Sequence, residues 1–347
     1  MEYAVLGRSG IHVSRLALGT MTFGNPLDEQ QCRVLVSHAL DCGINFFDTA
    51  NVYEGYGRTF GSSGGLGEEM LGKALSEHRQ KAVLCTKFGN PVGLGPLDAG
   101  LSVRHLERQL ENSLRRLRTD WIDVVLAHRG DSSLSVEEVW RVFDRWVQSG
   151  KVLCVGVSNW AAWRVSQATE LATRHDWMPP CVTSPKYNMI DRFAELEQIP
   201  CAAHYGMAVV TYQPFEGGLL TGKYRRGQPA PAGSRASEKP DWVAGLNDSV
   251  FEKLDALQKL AESLQMTLPQ YVMSWVLSPR RITSVVVGCR SPEQLDSVLA
   301  GVDRRLPPEH FDRIDTLFPP PKGVGTEKVL RWKKSGWCVE SELAERG

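Results

Sequence analysis

Ala82-Val83-Leu84-Cys85-Thr86-Lys87 and Ile122-Asp123-Val124-Val125-Leu126-Ala127-His128 are two short apolar runs, and an amphipathic stretch over residues 102–117 lies between them. Apolar runs of this kind are typical of buried strands, and the amphipathic stretch is typical of a helix. A helix is the usual connection between two parallel strands. Residues 82–128 therefore predict one strand–helix–strand unit of a parallel sheet.

The same unit is repeated along the chain. The predicted strands are Leu16–Thr20, Asn45–Thr49, Val83–Lys87, Ile122–His128, Val152–Val157, Val182–Tyr187, Ala208–Gln213 and Thr283–Gly288. The predicted helices cover residues 28–41, 67–78, 102–117, 135–148, 161–175, 195–204, 267–277 and 292–299, with an extra helix over 249–264. Eight strands alternating with eight helices predict a (β/α)8 TIM barrel. A doubly wound sheet is the alternative, but no Gly-x-Gly-x-x-Gly motif follows the first strand.

The remaining segments are predicted to lie outside the barrel wall. Residues 3–6 and 11–15 flank Gly7-Arg8-Ser9-Gly10, a pattern typical of an N-terminal hairpin. Residues 225–248 are rich in Gly, Pro, Ala and Ser and are predicted to form one long loop. Residues 319–347 are predicted to be an irregular tail, whose tryptophans we expect to cover part of the barrel mouth. Residues 1–347 are thus assigned to a single barrel domain.

Composition argues against several classes of protein. Forty Lys and Arg residues balance forty Asp and Glu residues, so no basic surface for nucleic acid is expected. The chain has no secretory leader pattern and no run near ~18 apolar residues, so we expect a cytoplasmic protein without a membrane span. The eight cysteines are scattered and none forms a Cys-x-x-Cys pair. Reduced thiols are therefore expected, with neither disulfides nor a metal site.

Ionisable side chains lie at or just beyond the ends of three successive predicted strands. Asp48 lies at the end of the second strand and Tyr53 follows it, Lys87 ends the third strand and His128 ends the fourth. Barrel enzymes place their catalytic groups at such strand ends. A nearby Lys87 ammonium is expected to lower the pKa of Tyr53, and Asp48 is expected to keep that ammonium charged. His128 is suited to hydrogen-bond a carbonyl oxygen.

Together these four side chains form a proton-donor set. The set holds no nucleophile, no metal cage and no carboxylate pair for glycoside hydrolysis. The missing reactant is a hydride, so a nicotinamide cofactor is implied. Each side chain alone also has a structural explanation, as a turn cap, a rim aromatic, a solvated lysine or a loop histidine. Their placement at successive strand ends favours the functional explanation.

The motifs around these residues resemble those of the aldo-keto reductase family over nearly the whole chain. Asp48-Thr49-Ala50-Asn51-Val52-Tyr53 is similar to the family's Asp-Thr-Ala-x-x-Tyr segment, and Thr86-Lys87-Phe88-Gly89 and Ala127-His128-Arg129-Gly130-Asp131 resemble its lysine and histidine strand ends. Gly19-Thr20-Met21-Thr22-Phe23-Gly24 is similar to its first βα loop, and Gly156-Val157-Ser158-Asn159 matches the segment that holds the nicotinamide carboxamide. The resemblance implies that Asp48, Tyr53, Lys87 and His128 are catalytic.

The resemblance also implies NADPH/NADP+ as the cofactor. Tyr212 would stack on the nicotinamide, residues 217–224 would cover the pyrophosphate, and Arg290 would face the ribose 2′-phosphate. A core aromatic at 212 and an exposed arginine without a ligand at 290 are the alternatives. The implied cofactor residues are Gly19, Thr20, Met21, Asp48, Ser158, Asn159, Ser184, Tyr212, Gln213, Pro214, Phe215, Gly217, Leu219, Lys223, Gly288, Arg290 and Gln294.

Three departures from the family pattern bear on the site. Ser184 replaces a glutamine, and Val298 replaces an asparagine that contacts adenine. Tyr53 is followed by Glu54 where the family has Gly, so Tyr56 is a rival for the proton donor. The inserted stretch over residues 58–66 is rich in Gly, and we interpret it as a flexible pocket wall.

The long stretch between Tyr212 and Thr283 resembles the longer bacterial members of the family, some of which reduce sugars. The resemblance therefore implies an NADPH-dependent carbonyl reductase that acts on a ketosugar or another bulky ketone. Two alternatives stay open: a regulatory cofactor-binding subunit of the ion-channel β type, and a 2,3-reductase of a nucleotide-linked ketosugar. A small-molecule carbonyl substrate is the expected partner, and the sequence predicts no oligomeric state.

Overall fold

An antiparallel hairpin begins the chain, as predicted. The computed structural model describes residues 1–243, 247–278, 282–322, 330–333 and 336–339. Strand β1 (Tyr3–Val5) pairs with β2 (His12–Ser14). Leu6 and Val13 are buried among the side chains that fill the barrel interior. The hairpin therefore closes the amino-terminal end of the barrel, and the opposite end remains for a site.

Eight parallel strands then close into a barrel surrounded by helices, which confirms the predicted fold. The barrel strands are β3 (Leu16–Gly19), β4 (Phe46–Asp48), β5 (Val83–Phe88), β6 (Ile122–Ala127), β7 (Val152–Ser158), β8 (Val182–Ser184), β9 (Ala208–Tyr212) and β10 (Ser284–Val287). Each strand pairs with its chain neighbour, and β10 pairs with β3 to close the ring. Strand β8 ends earlier than predicted, just before Pro185, because proline has no N–H for the ladder.

Helices connect these strands on the outside of the barrel. They are α1 (Glu29–Asp41), α2 (Leu66–Ala74), α3 (Val103–Leu117), α4 (Val136–Gln148), α5 (Ala162–His175), α6 (Gln198–Tyr205), α7 (Arg235–Glu238), α8 (Asp248–Ser263), α9 (Leu268–Leu277), α10 (Pro292–Leu299) and α11 (Pro308–Leu317). Several of these helices begin with a side-chain cap. The Ser135 hydroxyl accepts a hydrogen bond from the Glu138 N–H in a capping box, and Ser291 caps α10 with Pro292 at its first position.

The alternation of side chains along the strands divides the core into two layers. Phe46, Cys85 and Leu126 point into the barrel, while their chain neighbours such as Phe47 pack against the helices. Because strand side chains repeat every two residues, the next inward positions fall at the carboxyl ends. Those positions are Asp48, Lys87 and His128. The strand period therefore brings three of the four predicted side chains together, and the fourth, Tyr53, is placed by the loop after β4.

The two segments predicted to be irregular contain some regular structure. The 225–248 loop includes α7 and a 3-10 turn at Pro240–Trp242. In the tail, β11 (Leu330–Lys333) pairs antiparallel with β12 (Gly336–Val339). The prediction of an irregular tail was therefore wrong for these residues. The predicted roles of Trp332 and Trp337 concern side chains outside the described part of the chain. Among the described residues, no helix is long and apolar enough to cross a membrane.

Candidate functional site

A buried lysine lies at the centre of the carboxyl-terminal mouth of the barrel. Lys87 Nζ donates to Asp48 Oδ1 at 2.5 Å and to the Thr49 carbonyl oxygen at 2.8 Å. The Tyr53 hydroxyl lies 3.4 Å from the same nitrogen, and the Tyr53 ring centroid is 5.0 Å from it. Asp48 and Lys87 are almost completely buried. Three of the four predicted catalytic side chains thus form one hydrogen-bonded group.

The charges of this group follow from burial and from the ion pair. Burial opposes the ammonium, but Asp48 and Tyr53 more than compensate, so the pKa of Lys87 is raised above its usual value. Burial raises the pKa of Asp48, and Lys87 opposes that shift. The ion pair is therefore retained at neutral pH, with Lys87 as the cation.

Tyr53 behaves differently from the sequence-based expectation. Burial raises the pKa of its hydroxyl, and the lowering effect of Lys87 is too small to reverse this. The expectation of a depressed pKa was wrong because it considered the ammonium without the desolvation of the ring. The consequence is that Tyr53 is a neutral phenol at physiological pH. A neutral phenol is the form that can donate a proton.

His128 faces the same space from the end of β6. Its ring meets the Tyr53 ring edge to face, with centroids 5.9 Å apart. Burial, together with Lys87 and Arg129, lowers the pKa of His128 well below its usual value, so the imidazole is neutral. Its Nδ1 atom is buried and has no hydrogen-bond partner among the described residues. The structure thus brings all four predicted catalytic residues together.

Tyr56 lies elsewhere. Its hydroxyl accepts a hydrogen bond from Arg235 Nε at 3.0 Å, and its ring packs edge to face on Trp242. Arg290 also lies over this ring, with its guanidinium carbon 5.0 Å from the centroid. Tyr56 is therefore part of a contact between the second βα loop and the 225–243 segment, and Tyr53 is the tyrosine beside Lys87.

A second polar group lies across the mouth, at the ends of β7, β8 and β9. Ser158 Oγ donates to the Ser184 carbonyl oxygen at 3.0 Å, and the Tyr212 hydroxyl donates to Asn159 Oδ1 at 2.6 Å. Asn159 Nδ2 donates to the His128 carbonyl oxygen at 3.2 Å, which joins this group to the catalytic set. Ser184 Oγ is buried without a partner among the described residues. This group offers both donors and acceptors to a planar amide.

The loop after β9 turns sharply through several residues of positive φ. Gln213, which precedes Pro214, has a positive φ, and its carbonyl oxygen accepts from Asn188 Nδ2 at 3.0 Å. After Phe215, Gly217 and Gly218 have φ values of 65° and 94°, which favour glycine. Leu219 is buried beneath this turn. Partial desolvation, followed by Arg290 and Arg235, lowers the pKa of Lys223 just beyond it.

Arg290 follows β10, and its side chain is held by hydrogen bonds to the segment before and within α7. Its guanidinium donates to the Gly233 carbonyl oxygen and, at 2.7 Å, to Glu238 Oε2 on α7. Its backbone N–H donates to Gln294 Oε1 at 2.9 Å. Gly288, two residues earlier, has open space where a side chain would stand. Val298, on α10, is buried in the core between barrel and helices.

The first βα loop completes the mouth. The Thr20 N–H donates to the Asp48 carbonyl oxygen at 2.9 Å, which places this loop beside the catalytic set. Gly19 lies so close to Val286 that a larger residue would collide with it. Thr20 Oγ1 is buried without a partner among the described residues, and Met21 is partly exposed. The predicted cofactor residues therefore all lie at or near one end of the barrel.

Several residues of this region were missed by the sequence reasoning. Glu68 is completely buried and accepts from Thr86 Oγ1 at 2.6 Å and from Arg116 Nε at 2.7 Å, so it supports the strand end next to Lys87. Arg235 and Glu238 are the partners of Tyr56 and Arg290. Glu68 looks like an ordinary first-turn acid in the sequence. Only the folded chain reveals its partners.

Comparisons with known proteins agree with this geometry. The sequence model described as the aldo/keto reductase family matches residues 15–318. "Uncharacterized oxidoreductase YrpG" of Bacillus subtilis is 36% identical over 339 residues, which is 96% of this chain and 100% of that protein. A "Probable voltage-gated potassium channel subunit beta" of Oryza sativa is 36% identical over 329 residues, covering 91% of this chain and 96% of that protein. A protein of the same description in Arabidopsis thaliana is 35% identical over 330 residues, covering 92% and 97%.

Proposed function

Because this chain belongs to the aldo/keto reductase family, we propose that it is an NADPH-dependent reductase that converts a ketone or an aldehyde to an alcohol. One observation carries this proposal. Lys87 Nζ lies 2.5 Å from Asp48 and 3.4 Å from the Tyr53 hydroxyl, and the ring of His128 faces Tyr53. A neutral phenol can donate its proton to an oxygen that becomes negative, and a buried ammonium beside it stabilises the phenolate that is left.

The residues at the mouth fit a nicotinamide cofactor. Ser184 Oγ is a buried atom without a partner among the described residues, next to Ser158 and Asn159, and these groups would hold a carboxamide. Gly217 and Gly218 have no side chains in a turn of positive φ, so a pyrophosphate could approach the backbone closely there. Tyr212 presents a ring on the same side of the mouth. This match supports the family's usual cofactor class for this chain.

The chain's own residues supply the proton and the orientation. When bound, the cofactor supplies the hydride. His128, as a neutral imidazole, hydrogen-bonds the carbonyl oxygen and fixes its direction. The Tyr53 hydroxyl donates its proton to that oxygen as negative charge develops there. Lys87 stays protonated and places a positive charge beside the phenolate that is left, and Asp48 holds Lys87 in that position.

The preference for NADPH over NADH rests on a cluster of cations. Arg290 and Arg235 both act electrostatically on Lys223, and Glu238 is the carboxylate among these cations. Three cations and one anion leave a net positive charge. Arginines bind phosphate groups strongly because they offer paired N–H donors. We therefore assign the 2′-phosphate to this cluster.

The substrate is proposed to be a bulky carbonyl compound. Three large apolar side chains are exposed in the segments that follow β4, β5 and β8; they are Phe60, which is 90% exposed, Leu94 and Phe193. These segments surround the carboxyl end of the barrel. Exposed aromatic rings suit the apolar face of a sugar ring or of another bulky ketone.

The decisive experiment is NADPH oxidation on a panel of ketones, aldehydes and enones. We expect steady turnover near ~1 s⁻¹ or above on at least one carbonyl. Tyr53→Phe should lower kcat by about 10²–10⁴-fold while NADPH still quenches tryptophan fluorescence. Tyr56→Phe is the matched control and should keep kcat. If Tyr56→Phe abolishes turnover and Tyr53→Phe does not, the proton-donor assignment is wrong.

Two other functions are tested by the same panel. The relatives described as potassium channel β subunits favour a regulatory subunit as the second candidate. That candidate would be supported if bound NADPH were oxidised only once per chain and no carbonyl gave steady turnover. Product analysis separates simple ketone reduction from 2,3-reduction, because a 2,3-reduced enone keeps its carbonyl group.

A further inference from the structure

A second group of chemically active side chains lies on the outside of the barrel, away from the mouth. His38 and Cys42 are one helical turn apart at the end of α1, so they share a face of the helix. Asp296 on α10 faces them. His38 Nε2 lies 2.7 Å from Asp296 Oδ1 and 3.6 Å from Cys42 Sγ, and Cys42 Sγ lies 4.0 Å from Asp296 Oδ1. These three residues are called the α1–α10 cluster.

The distances within the α1–α10 cluster are close to those of a tetrahedral metal site. At the usual zinc bond lengths, a bound sulfur and nitrogen lie about 3.5 Å apart, and a bound nitrogen and oxygen about 3.3 Å apart. The sulfur–nitrogen distance of 3.6 Å already matches. The nitrogen–oxygen distance of 2.7 Å is that of a hydrogen bond and would have to open by about 0.6 Å, while the sulfur–oxygen distance of 4.0 Å would have to close by about 0.5 Å.

A catalytic triad is excluded by the same geometry. In a triad, the base uses one ring nitrogen for the nucleophile and the other for the carboxylate. Here the thiol and the carboxylate both approach Nε2 of His38. Three groups that converge on one point suit an ion between them.

We propose that His38, Cys42 and Asp296 bind a divalent ion of the zinc class, with a water molecule as the fourth ligand. Zinc accepts this mixture of sulfur, nitrogen and oxygen ligands. Glu293 also acts electrostatically on His38 and Asp296, and Asp41 acts on Cys42, so the surroundings favour a cation. Both helices provide firm positions for the ligands.

The site lies at the seam of the barrel. Helix α1 follows β3 and helix α10 follows β10, and these two strands close the ring. Cys42 and Asp296 are 254 residues apart in the sequence, which is why cysteine spacing gave no sign of a site. An ion here would join the first and the last βα units. Its expected effect is stabilisation of the fold rather than chemistry at the mouth.

The test is titration of the metal-stripped, full-length chain with Co²⁺. Tetrahedral Co²⁺ with a thiolate ligand gives a charge-transfer band in the near ultraviolet and strong visible bands. We expect one Co²⁺ per chain, displaced by Zn²⁺. Cys42→Ala should remove the charge-transfer band, and His38→Ala and Asp296→Asn should each weaken binding by about tenfold or more. Cys201→Ala is the control, because that partly exposed cysteine lies beside Ser166 instead.

Thermal unfolding gives an independent readout. Zn²⁺ should raise the melting temperature of the wild-type chain relative to a chelator, and it should not do so for Cys42→Ala. The absence of saturable Co²⁺ binding, or a charge-transfer band that persists in Cys42→Ala, would overturn the proposal. Carbonyl reduction by Cys42→Ala should equal that of the wild type, so the result is separate from the proposed function.

Discussion

Lys87 controls the protonation of the side chains around it. Its ammonium is buried, and it is retained there because Asp48 lies 2.5 Å away. The same ammonium helps to keep His128 neutral, since a second cation beside it is unfavourable. Tyr53 remains a neutral phenol because burial outweighs the attraction of its anion to Lys87. Burial thus leaves the proton on Tyr53, and the Lys87 ammonium is in place to stabilise the phenolate once that proton is given away.

These pKa shifts predict the pH dependence of carbonyl reduction. Reduction needs the protonated form of Tyr53, whose folded pKa lies above its usual ~10, and a neutral His128, whose folded pKa lies well below its usual ~6.5. The single-turnover rate should therefore be flat from about pH 6.5 to about pH 9 and fall at higher pH, as the Tyr53 proton is lost. Alcohol oxidation needs the phenolate, so its rate should rise over the same high range.

Stopped-flow measurements with saturating NADPH check this profile. A reduction rate that falls between about pH 7 and 9 would mean that Lys87 dominates over burial and lowers the pKa of Tyr53. A step near the ordinary histidine value would mean that His128 titrates in the folded protein.

Residue identities at the strand ends could be predicted from the sequence, whereas their energetics could not. Asp48, Lys87 and His128 were found because each ends an apolar run, and the period of two turns them inward. The choice between Tyr53 and Tyr56 needed the path of the loop, which depends on contacts such as that between Tyr56 and Arg235. The sign of the Tyr53 shift depends on burial, which is a property of the folded chain.

At the scale of elements, α7 connects two sides of the mouth. Arg235 at its start holds Tyr56 of the second βα loop, and Glu238 at its end holds Arg290 after β10. The sequence of residues 225–248 predicted a loop because it is rich in Gly, Pro and Ser. It could not predict α7 or its partners, because four helical residues carry no periodic pattern and the contacts are distant in sequence.

The pairing of Arg290 with Glu238 predicts how the cofactor preference responds to mutation. Arg290→Ala should raise the dissociation constant of NADPH about tenfold or more and leave that of NADH nearly unchanged, since a charged hydrogen bond contributes about 1.5–3 kcal/mol. Glu238→Gln should tighten NADPH binding, because the 2′-phosphate no longer competes with a carboxylate for Arg290. Fluorescence titration with both cofactors measures these constants.

Arg226→Ala is the control for overall charge, because Arg226 is exposed and pairs with Asp248 and Glu252 on α8. It should change neither constant by more than about twofold, as expected for an exposed ion pair. Equal losses of NADPH and NADH affinity in Arg290→Ala would contradict the assignment of the 2′-phosphate to this cluster.

At the scale of the whole molecule, closure of the ring is the step that local sequence does not encode. The eight strands and their order could be predicted, because each strand pairs with its neighbour in the chain. The pairing of β10 with β3 joins segments more than 250 residues apart. Arg15, just before β3, supports this seam. Its guanidinium donates to the Leu277 carbonyl oxygen at 2.7 Å and to the Ile282 carbonyl oxygen at 2.8 Å, and it is only 7% exposed.

Replacing Arg15 is therefore expected to lower the stability of the fold without affecting the chemistry at the mouth of the barrel. Arg15→Met keeps the aliphatic part of the side chain but leaves two buried carbonyl oxygens without their donors, and each such loss costs about 1–3 kcal/mol. We expect the free energy of unfolding to fall by about 2–4 kcal/mol in urea titrations. Arg33→Met, at an exposed arginine that pairs with Glu29, is the matched control and should change it by less than about 0.5 kcal/mol. Equal stability of the two variants would show that the barrel closes without the Arg15 contacts, and that strand pairing between β3 and β10 is sufficient.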